Sequence, residues 1–202
     1  MPTILIFLKA PRRNYVKTRL AHAVGAADAL HAYRALVMRQ LTALPKKSPL
    51  EIHYTPRDAQ AEMQTWLGQN NKYYPQFEGA LGERLEQAVA AAFQRGAKSV
   101  VCIGGDCPQL NASHIEEAER QLLAGEDVVF GPSEDGGYYL IAMKTPLLEL
   151  FREIPWSTAH TLQASLDKAQ ALQLKVARLE TLYDVDQIQE LERALADKLI
   201  QV

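Results

Sequence analysis

Cysteine is scarce in this chain of 202 residues, and its scarcity excludes two kinds of architecture. The two cysteines, Cys102 and Cys107, stand five positions apart with no second pair beside them. A structural zinc site needs about four ligands, and a disulfide framework needs several cysteine pairs. We therefore expect reduced thiols, as in a cytosolic protein.

Long hydrophobic runs and an excess of basic residues are also missing. The apolar run from Ile4 to Leu8 is too short to cross a membrane, and it lacks the basic leader and cleavage site of a signal peptide. The formal net charge is −2, and no long basic tract is present. These features predict a cytoplasmic protein that binds neither nucleic acid nor membranes.

Several common site motifs do not occur either. The chain contains no GxxxxGK[ST], HExxH, GxSxG or GxGxxG pattern. What it does contain is a regular alternation of apolar strand-like runs and helical spacing, which predicts an α/β protein with a mostly parallel, three-layer sheet. With no linker, repeat or low-complexity tract, we expect one domain over residues 1–202.

The hydrophobic pattern predicts the individual elements. Strands are expected at 4–8, 50–54, 73–77 (at an edge), 99–103, 127–130, 138–143 and 174–182. Helices are expected at 25–44, 58–67, 81–94, 113–123, 159–171 and 188–199. The residues Ser113 and Glu116 form a capping-box pattern for one helix, and Asp186 with Gln189 resembles an N-cap pair for the last.

A basic segment follows the first predicted strand. Five cations fall within eleven residues: Lys9, Arg12, Arg13, Lys17 and Arg19. In open α/β sheets ligands bind beyond the carboxyl ends of the strands, so this position suits a polyphosphate. The alternative is a solvated basic loop.

Carboxylates follow two later strands. Asp106 comes after Gly104 and Gly105 at the end of the strand 99–103, where it could hold a divalent cation or cap a turn. A metal needs a second carboxylate, and the segment Asp184-Val185-Asp186 could supply it, unless Asp186 serves only as a helix cap.

The glycine pair after Asp135 has two interpretations. Asp135-Gly136 between apolar runs is typical of a hairpin turn, which the spacing favours. Alternatively, Gly136 and Gly137 could admit a sugar against the backbone.

Six motifs in order resemble one family. They are Lys9-x-Pro11 with Val16-Lys17-Thr18-Arg19-Leu20; Leu81-Gly82-Glu83-Arg84-Leu85; Gly105-Asp106-Cys107-Pro108; Gly131-Pro132 with Asp135-Gly136-Gly137-Tyr138-Tyr139-Leu140; Trp156-Ser157-Thr158; and Asp184-Val185-Asp186. Together they resemble the DUF2064 group of GT-A-like transferases, often labelled arsenosugar-biosynthesis or selenodomain-associated glycosyltransferases. The resemblance extends from about residue 3 to 192.

The resemblance implies a Rossmann-like GT-A (nucleotide-diphospho-sugar transferase) fold, related to the guanylyltransferases of molybdenum and deazaflavin cofactor synthesis. It implies Mg²⁺ or Mn²⁺ on Asp106 and Asp186, with Asp184 as the alternative ligand. The family usually has serine where this chain has Gly105, so one possible hydroxyl contact is lost.

The resemblance also implies residue roles. Phosphates would be held by Lys9, Lys17, Thr18 and Arg19, and the ribose or phosphates oriented by Glu83 and Arg84. Asp106 and Asp135 would be catalytic, with Asp135 a general base, and the acceptor would meet Gly136, Gly137, Tyr138, Trp156, Ser157 and Thr158. The reaction expected is glycosyl transfer from a nucleotide-sugar to a small acceptor. The alternatives are nucleotidyl transfer from an NTP and a non-catalytic nucleotide-binding domain.

Overall fold

The computed structural model describes residues 1–201 as strands and helices that alternate along the chain. The strands are β1 (Thr3–Lys9), β2 (Leu50–Thr55), β3 (Lys72–Pro75), β4 (Val100–Ile103), β5 (Val128–Pro132), β6 (Tyr138–Met143) and β7 (Val176–Arg178). The α-helices are α1 (Thr18–Val24), α2 (Ala26–Ala43), α3 (Gln60–Leu67), α4 (Leu81–Gln94), α5 (Ala112–Ala124), α6 (Thr161–Ala171) and α7 (Ile188–Ala196).

All seven strands form one sheet in the order β3-β2-β1-β4-β6-β5-β7. Within residues 1–201, β6 alone runs against the others: it is antiparallel to β4 and to β5, whereas the remaining neighbours are parallel. The prediction of a mostly parallel sheet with an edge strand near residue 73 is confirmed.

Both faces of the sheet are covered, which explains the uninterrupted apolar run in β1. Ile4, Ile6 and Leu8 pack on the face that carries α2, α3 and α5, whereas Leu5 packs on the face that carries α4 and α6. A strand buried on both sides has no polar face to show. The three-layer α/β prediction is therefore confirmed.

A third apolar cluster joins both ends of the chain. Leu20 of α1, Leu36 of α2 and Leu191 of α7 pack together with Tyr183 and other buried side chains. This packing places the segment before α7 beside the start of α1. Among residues 1–201, no helix has both the length and the apolar character needed to cross a membrane.

Two predicted helix caps were wrong by one or two residues, whereas the predicted start of the last helix at residue 188 is confirmed. The cap of α5 is Asn111, whose Oδ1 accepts the Ser113 N–H at 2.9 Å, so Ser113 lies inside the helix. The cap of α7 is Gln187, whose N–H donates to Glu190 Oε2 at 2.7 Å. Asp186 is not a cap, because its carboxylate is turned to a lysine described below.

The last predicted strand was too long. Of residues 174–182 only Val176–Arg178 pairs as β7, and Leu182 forms an isolated parallel bridge with Ser133. The apolar side chains beyond Arg178 pack on the core without joining a continuous ladder. In residues 179–182 the apolar pattern therefore indicates burial of the side chains, and not pairing of the backbone in a strand.

Candidate functional site

A charged cleft opens at the carboxyl ends of β1 and β4. These two strands are neighbours, and the chain continues from β1 to β2 on one side and reaches β4 on the other. Such a reversal of strand order leaves a crevice, the usual ligand position in open α/β sheets. The cleft has a volume of about 290 Å³ and is lined by Phe7, Lys9, Val16, Lys17, Thr18, Arg19, Tyr33, Gly104, Gly105, Asp106 and Asp186.

Lys17 lies at the centre of this cleft. Its side chain is only 6% exposed, and its Nζ donates to Asp106 Oδ2 at 3.0 Å and to Asp186 Oδ1 at 2.8 Å. Burial alone would lower the pKa of Lys17, but the two carboxylates outweigh it and raise the pKa above its ordinary value. Lys17 is therefore positively charged, and its charge faces two carboxylates, one after β4 and one just before α7.

Asp186 faces three cations. Burial would raise its pKa, yet the charges of Lys17, Arg19 and Lys9 lower it below the ordinary value. Arg19 contributes a longer contact, with Nη1 3.7 Å from Asp186 Oδ2, and its side chain is largely exposed. Asp186 is thus an anion near neutral pH.

Asp106 is fixed through its backbone and its neighbours. Its carbonyl accepts the Val185 N–H at 3.0 Å, which ties the end of β4 to the segment before α7. At Gly105 a side-chain Cβ would overlap Leu8 Cδ2. The serine usual at this position in the family would therefore meet the Leu8 side chain here.

Asp184 lies behind the cleft rather than in its lining. Burial, together with the neighbouring Asp106 and Asp135 carboxylates, raises its pKa well above the ordinary value. Among residues 1–201 its Oδ1 atom is buried without a hydrogen-bond partner. Of the two aspartates considered as the second metal ligand, the structure brings Asp186 to Asp106 across Lys17.

The remaining basic residues of the N-terminal segment divide into two groups. Lys9 lines the cleft, and Tyr33 both accepts from its N–H and donates to its carbonyl at 2.9 Å. Arg12 is held elsewhere by Glu62, at 2.8 Å, and Arg13 is exposed outside the cleft lining. Tyr33 falls within the helix predicted at 25–44, and the spacing of that helix gave no sign that the Tyr33 hydroxyl would bind the backbone at the end of β1.

Glu83 and Arg84 shape a loop instead of lining the cleft. Glu83 Oε2 accepts the Ala80 N–H at 2.8 Å, as a capping residue of α4. Arg84 Nε donates to Gly79 O at 2.8 Å. Within the same loop Gln76 Nε2 donates to Leu8 O at 3.1 Å and His53 O at 3.0 Å, so it joins the ends of β1 and β2; no sequence motif indicated it.

Asp135 occupies the turn between β5 and β6. Its Oδ1 accepts the Gly137 N–H at 2.8 Å and the Ser133 hydroxyl. The hairpin interpretation favoured by the spacing is confirmed by the antiparallel pairing. Gly136 has a positive φ of 86° and packs so closely on Ala159 that a side chain would overlap the Ala159 backbone. The carboxylate lies outside the cleft lining, so the geometry gives Asp135 a turn-forming role.

Of the residues expected to contact the acceptor, some line a pocket and others form a turn. Tyr138 and Trp156 make an edge-to-face contact with ring centroids 5.9 Å apart and line a second, apolar pocket of about 150 Å³ beside the cleft. Ser157 and Thr158 form a turn, in which the Thr158 hydroxyl donates to Pro155 O at 2.8 Å. The structure therefore brings Tyr138 and Trp156 to a pocket and leaves Ser157 and Thr158 in a supporting turn.

Solved structures share this fold. A protein from Desulfovibrio desulfuricans G20, provisionally described as a nucleotide-diphospho-sugar transferase, is 34% identical with a TM-score of 0.85; the match covers 92% of this chain and 82% of that one. A CMP-2-keto-3-deoxy-manno-octonic acid synthetase complexed with CTP matches 97% of this chain and 98% of its own at 13% identity and a TM-score of 0.58.

A third solved structure is glucosyl-3-phosphoglycerate synthase from Mycobacterium tuberculosis, in complex with Mn²⁺, UDP and glucosyl-3-phosphoglycerate. It is 14% identical, with a TM-score of 0.53 over 98% of this chain and 77% of that one. At such low identities the last two comparisons establish the fold alone. The architecture is the GT-A nucleotide-diphospho-sugar transferase fold.

The family follows from the sequence match. The model of the bacterial family DUF2064, described as an uncharacterized protein conserved in bacteria, matches residues 37–158. The chain belongs to this family. No curated protein matches it.

Proposed function

We propose that the protein is a metal-dependent transferase that uses a nucleotide-activated substrate, with glycosyl transfer from a nucleotide-sugar to a small acceptor as its reaction. The observation that carries this proposal is the junction of Lys17 with Asp106 and Asp186, at 3.0 and 2.8 Å, in the cleft at the strand-order reversal. Three distant segments of the chain contribute one charged group each to that junction.

The basic side of the cleft suits phosphates. Lys9, Lys17, Thr18 and Arg19 lie along one wall of it. Charge-assisted hydrogen bonds from such donors to phosphate oxygens are about twice as strong as neutral ones. Arg19, which is exposed and only loosely paired, is free to turn to a diphosphate.

The carboxylates suit a divalent cation. Mg²⁺ is usually bound by one or two carboxylates together with substrate phosphates and water, so Asp106 and Asp186 form a sufficient protein contribution. Residues 1–201 hold no group of three or more His, Cys, Asp or Glu side chains arranged for a metal, and in the proposed complex water and substrate phosphates would fill the other ligand positions. When bound, the ion would neutralise the charge of the leaving nucleoside diphosphate.

In the structure both carboxylates are turned to Lys17, and this suggests how the site is kept ready. Without ligands, the ammonium satisfies the two anions and prevents their mutual repulsion. A bound phosphate would give Lys17 a new anionic partner, and Asp106 and Asp186 would then be available to hold a divalent cation. The chain's own residues thus exchange partners within one cleft, and no large rearrangement is needed.

The related structures support this assignment. The Desulfovibrio protein, similar over most of this chain, is itself described as a nucleotide-diphospho-sugar transferase. The mycobacterial synthase was solved with Mn²⁺ and UDP. Glu83, Arg84 and Asp135 are proposed to hold the surrounding loops rather than to contact the reacting atoms, since each is engaged by nearby backbone.

Nucleotidyl transfer is the second candidate. The related synthetase was solved with CTP in the same fold. The charged cleft would contact phosphates, and the donors of both reactions carry phosphates. The released product separates the two, because glycosyl transfer frees a nucleoside diphosphate and nucleotidyl transfer frees pyrophosphate.

The test is a thermal-shift panel of nucleotide-sugars and NTPs with Mn²⁺, since a ligand that binds the native state alone raises apparent stability. We expect one nucleotide class to stabilise the parent and the effect to be lost in Asp106→Asn. Turnover assays with that class would then identify the product. Stabilisation without any turnover would favour a non-catalytic binding domain, and a lack of stabilisation by every nucleotide would contradict the proposal.

A further inference from the structure

An apolar pocket adjoins the charged cleft. Its volume is about 150 Å³, and its walls include Phe7, Leu81, Leu85, Tyr138 and Trp156. The floor is formed by the paired strands β4 and β6 in the middle of the sheet. No step in the phosphate and metal chemistry proposed above uses this space.

The pocket and the cleft share part of their walls. Phe7 and Gly104 line both of them. A Cβ at Gly104 would lie 2.8 Å from Asp106 Oδ1, so the boundary between the two spaces runs directly beside that carboxylate. A molecule with one end at Asp106 would therefore place its next few atoms among apolar side chains.

The shape of the pocket is set by close packing around Trp156. A Cβ at Gly82 would come within 2.5 Å of Trp156 Nε1 and would also overlap Phe151 O. Only glycine at this position lets the indole lie against the start of α4. The edge-to-face contact with Tyr138 holds the ring from the other side.

The chemistry of the walls discriminates between ligands. Of the two tyrosine hydroxyls in the lining, that of Tyr139 donates to Glu180 O at 3.2 Å, whereas that of Tyr138 is buried without a partner among residues 1–201 and could satisfy at most one polar group of a ligand. A sugar ring placed here would lose the hydrogen bonds that its hydroxyls make with water, and each unsatisfied hydroxyl costs about 1–3 kcal/mol. An apolar group makes no hydrogen bonds with water, so its burial in the pocket carries no such cost. A cavity of roughly 150 Å³ lined by Leu, Ile and Phe side chains is known to accept benzene.

We propose that this apolar pocket binds a ring-sized apolar group of the acceptor. The inference rests on the proposed function, and it narrows the acceptor to an amphipathic molecule. Its nucleophilic oxygen would lie near Asp106, and its aromatic or alicyclic part would lie between Leu81, Leu85 and Trp156. A free sugar is a poor match for this position.

The experiment uses the indole itself as the reporter. The chain has two tryptophans, so the Trp66→Phe variant leaves Trp156 as the only indole. The probe is para-nitrobenzyl alcohol, which quenches indole fluorescence on contact. We expect saturable quenching, with glucose at the same concentrations causing no change and no competition.

A pair of variants provides the specificity control in the same background. Leu81 is the first residue of α4 and is 40% exposed, so Leu81→Asn makes the pocket polar with little effect on the core. Leu123 is 82% exposed on α5, and Leu123→Asn is the matched exchange far from the pocket. We expect Leu81→Asn to weaken probe binding at least about tenfold and Leu123→Asn to leave it unchanged.

Three results would overturn the inference: quenching that does not saturate, equal competition by glucose, or unchanged binding in Leu81→Asn with an unchanged melting temperature. The nucleotide panel on the Trp66→Phe protein is run separately. If nucleotides fail to bind while the probe still binds, the proposed transferase function is wrong and the apolar binding site stands. If nucleotides bind while the probe does not, only the proposal of an apolar acceptor group is wrong.

Discussion

Lys17 is the residue on which the account depends most. From the sequence it was predicted to hold phosphate, because it lies in a basic segment after the first strand. The structure adds that its ammonium joins Asp106 and Asp186, which are 89 and 169 positions away in the chain. A charge pattern identifies a cation, but its partners are set by tertiary packing.

Replacing Lys17 by methionine tests this junction. Lys17→Met should lower stability by about 1–3 kcal/mol, less than the loss of a fully buried ion pair because both carboxylates are partly exposed. Mn²⁺ alone should then stabilise the variant more than the parent, since no ammonium competes for Asp106 and Asp186. Thermal melts with and without Mn²⁺ measure both effects.

The control for this variant is Lys47→Met, which removes an exposed lysine far from the cleft. Its response to Mn²⁺ should equal that of the parent. If Lys17→Met also responds no more than the parent, the two carboxylates do not form a metal site.

Arg19 and Arg13 form a second comparison at the level of single residues. Both are exposed, but only Arg19 lines the cleft. Arg19→Ala should weaken nucleotide binding roughly tenfold, the lower end of the range for hydrogen bonds to charged groups. Titration at low and high salt should show a smaller salt dependence in the variant. Equal losses in Arg13→Ala would indicate a general basic surface instead of a site.

At the scale of elements, the sequence predicted most of the fold. Periodicity located β6 and α4 at the residues where the structure has them, because their apolar faces are regular. The caps of α5 and α7 were misplaced, since several adjacent polar residues can cap a helix and the local pattern does not choose among them. Asp186 is neither the cap of α7 nor an unpaired carboxylate, because it binds Lys17. This ion pair depends on tertiary packing, so the sequence pattern could not predict it.

The turn between β5 and β6 depends on Gly136. Gly136→Ala should destabilise the protein by about 1–3 kcal/mol, because positive φ is strained and the added methyl meets the Ala159 backbone. Gly68→Ala is the matched control: Gly68 has a φ of 89°, but a Cβ there would meet no atom within 4 Å. Urea unfolding of both variants should show the larger loss at Gly136. Equal losses would mean that contact with Ala159 contributes nothing.

A buried polar group ties β2 to the end of α4. Glu51 accepts from Arg95 at 2.5 and 3.2 Å and lies 3.4 Å from His53 Nε2. Burial would raise its pKa, but His53 and Arg95 outweigh this and lower the pKa below the ordinary value. The stabilisation is therefore present above the unfolded-state pKa and is lost as the pH falls through the lower folded-state pKa.

Glu51→Gln should consequently reduce the free energy of unfolding by about 1.5–3 kcal/mol at neutral pH, as expected for a hydrogen bond to a charged group. The difference from the parent should shrink as the pH falls through the lowered folded-state pKa of Glu51, because the residue then loses its charge in the parent too. Denaturant titrations across pH 3–7 measure the difference. A gap that stays constant with pH would contradict the assigned ionisation.

At the scale of the molecule, chain topology assembles the site. Residues 9–19, 104–106 and 184–186 follow different strands, yet all reach the carboxyl edge near the reversal between β1 and β4. The sequence predicted each of these segments as part of a binding site. Because ligands bind beyond the carboxyl ends of the strands in open α/β sheets, it also predicted that the segments meet at one edge. It could not indicate that Asp135, Glu83 and Arg84 would turn to nearby backbone, because such contacts depend on loop conformation.

The central claim is that phosphates and a divalent cation meet in the cleft of Lys17, Asp106 and Asp186. Crystals grown with Mn²⁺ and the nucleotide selected by the thermal-shift panel test it most directly, because anomalous scattering locates manganese unambiguously. We predict an anomalous peak between the Asp106 and Asp186 carboxylates, with Lys17 and Arg19 turned to the phosphates. A peak at another site, or nucleotide phosphates bound away from these residues, would contradict the account.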